Sequence, residues 1–525
     1  MKPAQTIELT SFDGRIPSEL SADYILPDTF PDVKKVLRTK AKPILIGRYI
    51  SGRRLEFTGA VDYTVIFCAD SEDGESLHCV HFAGEWNGAL GELDSLENAN
   101  VTITPHVTSC TQRLANPRKL TLKSTISSDV RVTVPIPAAP VCEGAASTAE
   151  ELSLEKLSRT YTTRRERTFV AEPLRISENL EPDAAQPAID EIISCNAEIC
   201  FSEAKISREH EMTVALKGEA LIDCIYKSQA EAGVYKSFSR KVPVACIVGA
   251  DEYRDYFYDC RPESMCANAS ATTVEINASV GENGYGERRV VELDMTADVT
   301  VSLIGGEDVQ LVLDAYSVTR DAECVMSDHG LISVGKVLFA NFSVGEALSR
   351  EELGIPENAN VINAEAEVIS ASMSLERGRL VLSGMASVSC ILEGDGYSSI
   401  DASIPVKCEL NAGELHEPIS YNCEFAVSDL RARLDPERIC FDFEVSLCAE
   451  VCEKHRRSAV SVIRLTGESR SADADASLTL CYPSSGDTLW EIAKRYKTTV
   501  GALEAANTAG SRVLLVVPPK NGIVI

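Results

Sequence analysis

Alternation of apolar and polar positions dominates the chain. Between Leu55 and Phe67, the side chains of Leu55, Phe57, Val61, Tyr63, Val65 and Phe67 fall on one face of an extended strand. Asp70 to Glu75 reads as a hairpin loop, and Leu77 to Phe82 as the returning strand. Arg118 to Ile126 and Asp129 to Val134 alternate again, as a late strand pair. The period changes only near the C-terminus. There Leu489, Ile492, Ala493 and Tyr496 share one helical face while Glu491, Lys494 and Arg495 face water, and Val500, Leu503 and Ala506 line a second helix. Flanked by Leu478 to Tyr482 and Val513 to Val517, this predicts strand, helix, helix, strand.

The alternating pattern repeats. Leu26-Pro-Asp-Thr-Phe-Pro-Asp32 and the strand after it are echoed by Leu180-Glu-Pro-Asp183 with Val214 to Tyr226, and by Leu353 to Val361 with Leu380 to Leu392. Gly59, Gly218 and Gly384 each stand eight residues before Phe67, Tyr226 and Leu392, with Ile66, Ile225 and Ile391 just ahead of the latter. A glycine inside a long strand marks a bulge or a close backbone approach. Hairpin loops are expected at Gln229 to Gly233 and Glu393 to Gly396. Late strand pairs are expected at Val290 to Thr296 with Val299 to Leu303, and at Ile439 to Val445 with Leu447 to Val451. The resulting division is a first β domain over 1–134, a linker over 135–165, a second domain over 166–317 and a third over 318–465. An acidic linker over 466–476 leads to a small domain over 477–525. A length of 525 residues fits several domains at about 150 residues each.

Charge narrows the partners. The formal net charge is −28, no basic stripe occurs, and a nucleic-acid partner is excluded. Residues 477–525 hold five basic and three acidic residues, so a slightly basic module ends a strongly acidic chain. No apolar run follows a basic start and no 18-residue apolar segment occurs, so neither a secretion signal nor a transmembrane helix is expected. Of the 18 cysteines, Cys68, Cys224, Cys390, Cys440 and Cys448 lie in apolar strand-like runs, which suits reduced thiols in a cytosolic protein.

The order Gly486-Asp-Thr-Leu-Trp490 with Ile492, Ala493 and Tyr496, then Thr499, Val500, Leu503 and Asn507, resembles the LysM module. In that family, glycan contacts come from the loops before the first helix and after the second. The resemblance therefore implies a site at Gly486, Asp487, Thr488 and Leu489, with Asn507 and Thr508 opposite. Asp487 is expected to cap the first helix, and Gly486 to let the chain turn into it. Trp490 is expected either to pack inside the module or to present its ring to a partner. The segment between Asn507 and Pro518 is short for a LysM, which favours a protein ligand over a glycan.

Three β-rich repeats with the Leu26 to Asp32 signature, followed by a LysM, resemble the clostridial SipL-type spore coat-assembly family, whose repeats are of the DUF3794 type. Stage VI sporulation protein D is the functional counterpart in bacilli. The resemblance implies a mainly β chain of three DUF3794-like domains and a βααβ LysM. It further implies a mother-cell adaptor at the outer forespore surface, with the coat morphogenetic ATPase and other coat proteins as partners. Peptidoglycan, an N-acetylglucosamine polymer, is the alternative ligand of a wall-binding protein.

No phosphate loop, nucleophile elbow or His-Glu-x-x-His motif occurs, so no catalytic residues and no cofactor are assigned. Cys448, Cys452 and His455 share a spacing that a zinc site uses but lack a fourth ligand, and buried thiols are the favoured reading. His78, Cys79 and His81 divide between two strand faces. Asp28, Pro31 and Asp32 read as turn chemistry rather than paired carboxylates.

Overall fold

A computed structural model describes residues 6–71, 74–93, 96, 98–143, 154–230, 233–411, 413–416, 418–466, 479–484, 486–507 and 514–516. The chain is mainly β, as its alternation predicts. Each repeat contributes a three-stranded meander and a second sheet, of three strands in the first repeat, four in the second and five in the third. In the first repeat, β1 (Thr6–Ile25), β6 (Lys119–Pro137) and β5 (Asn100–Asn116) form one sheet in the order β1-β6-β5. The meander β2 (Lys35–Ser51), β3 (Arg54–Ser71) and β4 (Gly74–Leu90) forms the other. All these pairings are antiparallel. The two inner faces enclose a core in which Leu55, Phe57, Val61, Tyr63, Val65 and Phe67 meet Leu120, Leu122 and Ile126.

The later repeats follow the same plan with longer members. The second has the meander β10 (Ile189–Ser207), β11 (Thr213–Ser228) and β12 (Tyr235–Gly249), with β13 (Cys266–Gly281) and β14 (Val290–Ser317) beside it. The outer side of β14 is shared by β8 (Leu154–Val170) and β9 (Leu174–Leu180). The third repeat has the meander β17 (Asn360–Glu376), β18 (Arg379–Glu393) and β19 (Tyr397–Leu410), with β20 (Ile419–Leu434) and β21 (Arg438–Thr466). There β15 (Asp321–Ile332) and β16 (Lys336–Ser349) divide β21 between them. A short β7 (Val141–Glu143) adds to β21 in parallel.

Two expectations are corrected. Each late strand pair is one continuous strand, because a neighbour pairs along the length of β6, β14 and β21 and carries the ladder through the places where alternation gives way to a buried run. The stretch 135–165, expected as a linker, holds the end of β6, all of β7 and much of β8. The Pro- and Ala-rich residues stand ahead of β8, which pairs with the long second half of β14.

The repeated glycines mark one device. Gly59 and Gly218 lie opposite register shifts in β2 and β10, and Gly384 lies next to the pair Ser370–Met385, at which β17 shifts. A Cβ at these glycines would collide with the carbonyl oxygens of Ile44, Cys200 and Ser370. The close backbone approach therefore recurs at the same place in each repeat, with a bulge at or beside it.

The three repeats close on one another rather than hanging in a row. The last meander strand of each lies against the first meander strand of the next: β4 on β10, β12 on β17 and β19 on β2. This head-to-tail contact closes into a ring with pseudo-threefold symmetry. At its centre, Ile66, Ile225 and Ile391 meet, joined by Leu37, Ile193 and Ile362 and by Leu77, Tyr235 and Tyr397. Each trio takes one residue from the same position of every repeat. Beside this apolar plug, Arg38 of the first repeat bonds the Asn363 side chain of the third, whose amide donates to Asp223 of the second at 2.9 Å. Elsewhere in the ring, Arg131, Arg164, Glu166 and Glu450 draw all three repeats together, with Arg164 2.9 Å from Glu166 and 2.8 Å from Glu450. These ions are buried but mutually paired, the condition under which burying charge is tolerable.

Between the plug and this cluster, Lys40 and Lys42 of β2 occupy the same positions as Asn196 and Glu198 of β10 and Glu365 and Glu367 of β17. The first repeat thus brings cations where the other two bring mainly carboxylates.

Candidate functional site in the C-terminal module

The sequence folds locally as its periodicity predicts. β22 (Thr479–Cys481) pairs antiparallel with β23 (Leu514–Val516), and α1 (Leu489–Tyr496) and α2 (Val500–Ala506) lie between them in the chain. Ile492, Ala493 and Leu503 are buried, while Leu489 and Tyr496 at the ends of the α1 stripe stay partly exposed.

Thr488, not Asp487, is the N-cap of α1. Its hydroxyl accepts from the Glu491 amide at 3.2 Å, and the Glu491 carboxylate accepts from the Thr488 amide at 2.9 Å. The chain enters the helix one residue later than Asp487 would place it, because the capping box needs Glu at N3 and Glu491 stands there. Asp487 instead accepts from the Ser484 amide at 3.0 Å and is met by Arg495 at 3.3 Å. Gly486 has φ +110°, a conformation other residues rarely adopt, with open space where a side chain would stand. Gly486, Thr488 and Leu489 are exposed, so these positions are presented to solvent at the start of α1.

Of the residues expected opposite, Asn507 donates from its side chain to the Leu503 carbonyl at 2.7 Å and so closes α2. Thr508 lies outside the described residues. Leu480 and Tyr482, two apart and therefore on one face, are exposed by 55% and 72%; the loop motif does not include them, although alternation with buried Cys481 places them outward.

Trp490 serves neither as internal packing alone nor as an open ring. Its indole donates to Asp314 Oδ2 at 2.8 Å, and its ring stands edge-on to Tyr316 with centroids 4.9 Å apart. Lys494 reaches the same Asp314 carboxylate at 2.7 Å, Lys497 bonds Asp321 and the Arg320 carbonyl, and Tyr316 donates to the Thr498 carbonyl at 2.7 Å. Tyr316 and Val318 pack against Ile492, Ala493, Leu503 and Cys481. The module is therefore docked on the end of β14 and the turn after it. Burial alone would push Asp314 up, but the bonds from Lys494 and Trp490 hold it below its ordinary value. Asp314, Tyr316 and Asp321 carry no motif. Their one sequence signal is the excess of base in the module against an acidic body.

The other singled-out residues have protein partners. Cys448 bonds the Asn268 side chain, Cys452 the Ser420 carbonyl, and His455 lies 3.1 Å from Glu453. Arg118 gathers Asp28, Asp32 and the carbonyls of Leu26, Pro27 and Phe30, which makes the signature loop a turn pinned by one guanidinium. Among the described residues, no cluster of His, Cys, Asp and Glu is arranged to hold a metal, and no helix is long and apolar enough to cross a membrane.

Comparison with known proteins decides the nature of the module. Residues 484–517 match the LysM domain family. No curated protein and no solved structure matches the chain. The LysM match covers the capping box, the exposed loop and both helices, and leaves the three repeats without an assigned family.

Proposed function

We propose that the chain is a non-enzymatic adaptor in which a ring of three repeats carries a docked LysM, and that the LysM engages an N-acetylglucosamine polymer of the peptidoglycan type through Gly486 to Leu489. The observation that carries this reading is the disposition of the module. The match over 484–517 points to glycan ligands, and docking uses Trp490, Lys494 and Lys497 while the predicted loop faces solvent. A ligand can then reach the loop without displacing the module. Sedimentation of the full chain with purified wall sacculi tests it. Retention that disappears when the chain is ended at Thr466 is expected, and equal retention of both chains sinks the proposal.

A second reading has its own support. The three repeats with the Leu26 to Asp32 signature resemble spore coat-assembly adaptors, which implies that the LysM contacts a coat morphogenetic ATPase at the outer forespore surface. That the α1 face already makes a specific protein contact, with Tyr316 and Asp314, favours a module suited to protein surfaces. Affinity capture from sporulating cells separates the two. Recovery of a polymerising ATPase with the full chain, and none with the chain ended at Thr466, favours the second. Sacculus binding without ATPase recovery favours the first.

A further inference from the structure

Among the 18 cysteines, two stand directly opposite each other in a strand register. Cys195 on β10 faces Cys224 on β11 across the ladder. No other pair of cysteines is matched in register among the described residues. Directly opposed residues of an antiparallel pair have Cα atoms roughly 4.5 or 5.5 Å apart, and both values lie in the roughly 4.4–6.8 Å range that a disulfide spans. The approach is one-sided. Cys195 is half-buried on the edge strand of its meander, whereas Cys224 is wholly buried on the central strand.

The other repeats supply internal controls. The same positions hold Thr39 opposite Val65 in the first repeat and Ala364 opposite Cys390 in the third. Cys390 therefore keeps the buried thiol of Cys224 but has no sulfur across from it.

We infer that Cys195 and Cys224 form a redox-responsive dithiol whose oxidant is a small-molecule disulfide of the glutathione class. The Cys195 thiolate attacks one sulfur of glutathione disulfide, forming a mixed disulfide and releasing one glutathione thiolate, which takes up the proton Cys195 has lost. Cys224 then loses its proton and attacks the Cys195 sulfur, and the second glutathione leaves as a thiol. Two protein thiols are oxidised to one disulfide, and one glutathione disulfide is reduced to two glutathiones. The two facing thiols shift each other in opposite senses, Cys195 below its ordinary value and Cys224 above it, which makes Cys195 the attacking sulfur of the first step. The product ties the strand that lines the ring axis to the centre of its own meander.

The test treats the reduced full chain with glutathione disulfide, blocks free thiols with an alkylating agent under denaturing conditions, and maps the peptides by mass spectrometry. A linked Cys195–Cys224 peptide lighter by two hydrogens is expected, with Cys390 fully alkylated. In Cys195→Ala, which copies Ala364, Cys224 is expected to be alkylated as completely as Cys390. The proposal is overturned if Cys195 halts as a glutathione adduct beside a free Cys224, if neither thiol reacts, or if Cys224 is still oxidised in Cys195→Ala.

Discussion

Two contacts join domains in this molecule, and they differ in kind. The repeats meet at an axis where Ile66, Ile225 and Ile391 are 2% exposed or less, backed by buried polar chains that pass through all three. The LysM meets the body through two carboxylates, Asp314 and Asp321, the lysines Lys494 and Lys497 that reach them, and a small apolar cluster around Tyr316, and Lys494 and Asp314 keep side-chain exposures of 43% and 28%. Apolar burial of the first kind is worth about 25 cal/mol per Å² and cannot be lost without exposing a core. An ion pair of the second kind is worth at most about 1 kcal/mol. The ring is joined by wholly buried groups from three repeats, and the dock by a smaller apolar cluster rimmed with half-exposed ion pairs.

The largest expected effect breaks the ring. Ile391→Ala removes a wholly buried side chain from the plug, and a loss of about 2–4 kcal/mol is expected in denaturant unfolding. Arg38→Ala comes next, at about 3 kcal/mol, because it strands the Asn363 side chain and the Ser389 carbonyl, which Arg38 now meets at 2.8 Å. Both substitutions lower the unfolding midpoint of the whole chain. Asp314→Ala is expected to weaken the dock by about 1 kcal/mol after allowance for solvent screening. It leaves that midpoint in place, so a large shift in the midpoint would erase the distinction between the two contacts. Thr488→Ala removes the N-cap and destabilises the module alone by about 1 kcal/mol, read as faster amide exchange in α1.

Acidity sharpens the same comparison, since the two contacts respond in opposite directions. Burial pushes Glu424 up to about 7 and, with the Glu365 carboxylate, Asp223 up to about 6. Both bind protons more tightly folded than unfolded, so the stability of the ring rises as pH falls from about 8 to about 5. Asp314 is held below its ordinary 3.8, so its support for the dock is complete above about pH 4 and is lost as pH falls through the lowered value. Thermal unfolding and module release followed over the same pH series should diverge. Parallel curves count against the assignment.

What the sequence shows follows from how local each signal is. Strand faces such as Leu55 to Phe67, the glycine at the bulge and the α1 stripe are set by neighbours in the chain, and they can be read from it. The recurring Ile66, Ile225 and Ile391 were visible as a repeat, yet nothing local says that they touch one another. Their meeting is a property of ring closure. The continuous strands β14 and β21 were split because alternation reports a face and not the partner that holds it. Asp314 and Tyr316 were missed for the related reason that a docking surface is built from the partner's side, here Trp490 and Lys494. The N-cap was displaced by one residue because Asp487 and Thr488 are both good caps and only Glu491 chooses between them.

The claim that the LysM is held on the ring is tested most directly at the two tryptophans, whose indoles give two resolvable NMR signals. Trp86 donates to the Ala60 carbonyl inside the first repeat, and Trp490 donates to Asp314 across the dock. Hydrogen exchange of both indoles in the full chain should be slow, and Asp314→Ala should free Trp490 while leaving Trp86 protected. A Trp490 indole that exchanges as fast in the unaltered chain as in Asp314→Ala would contradict the account.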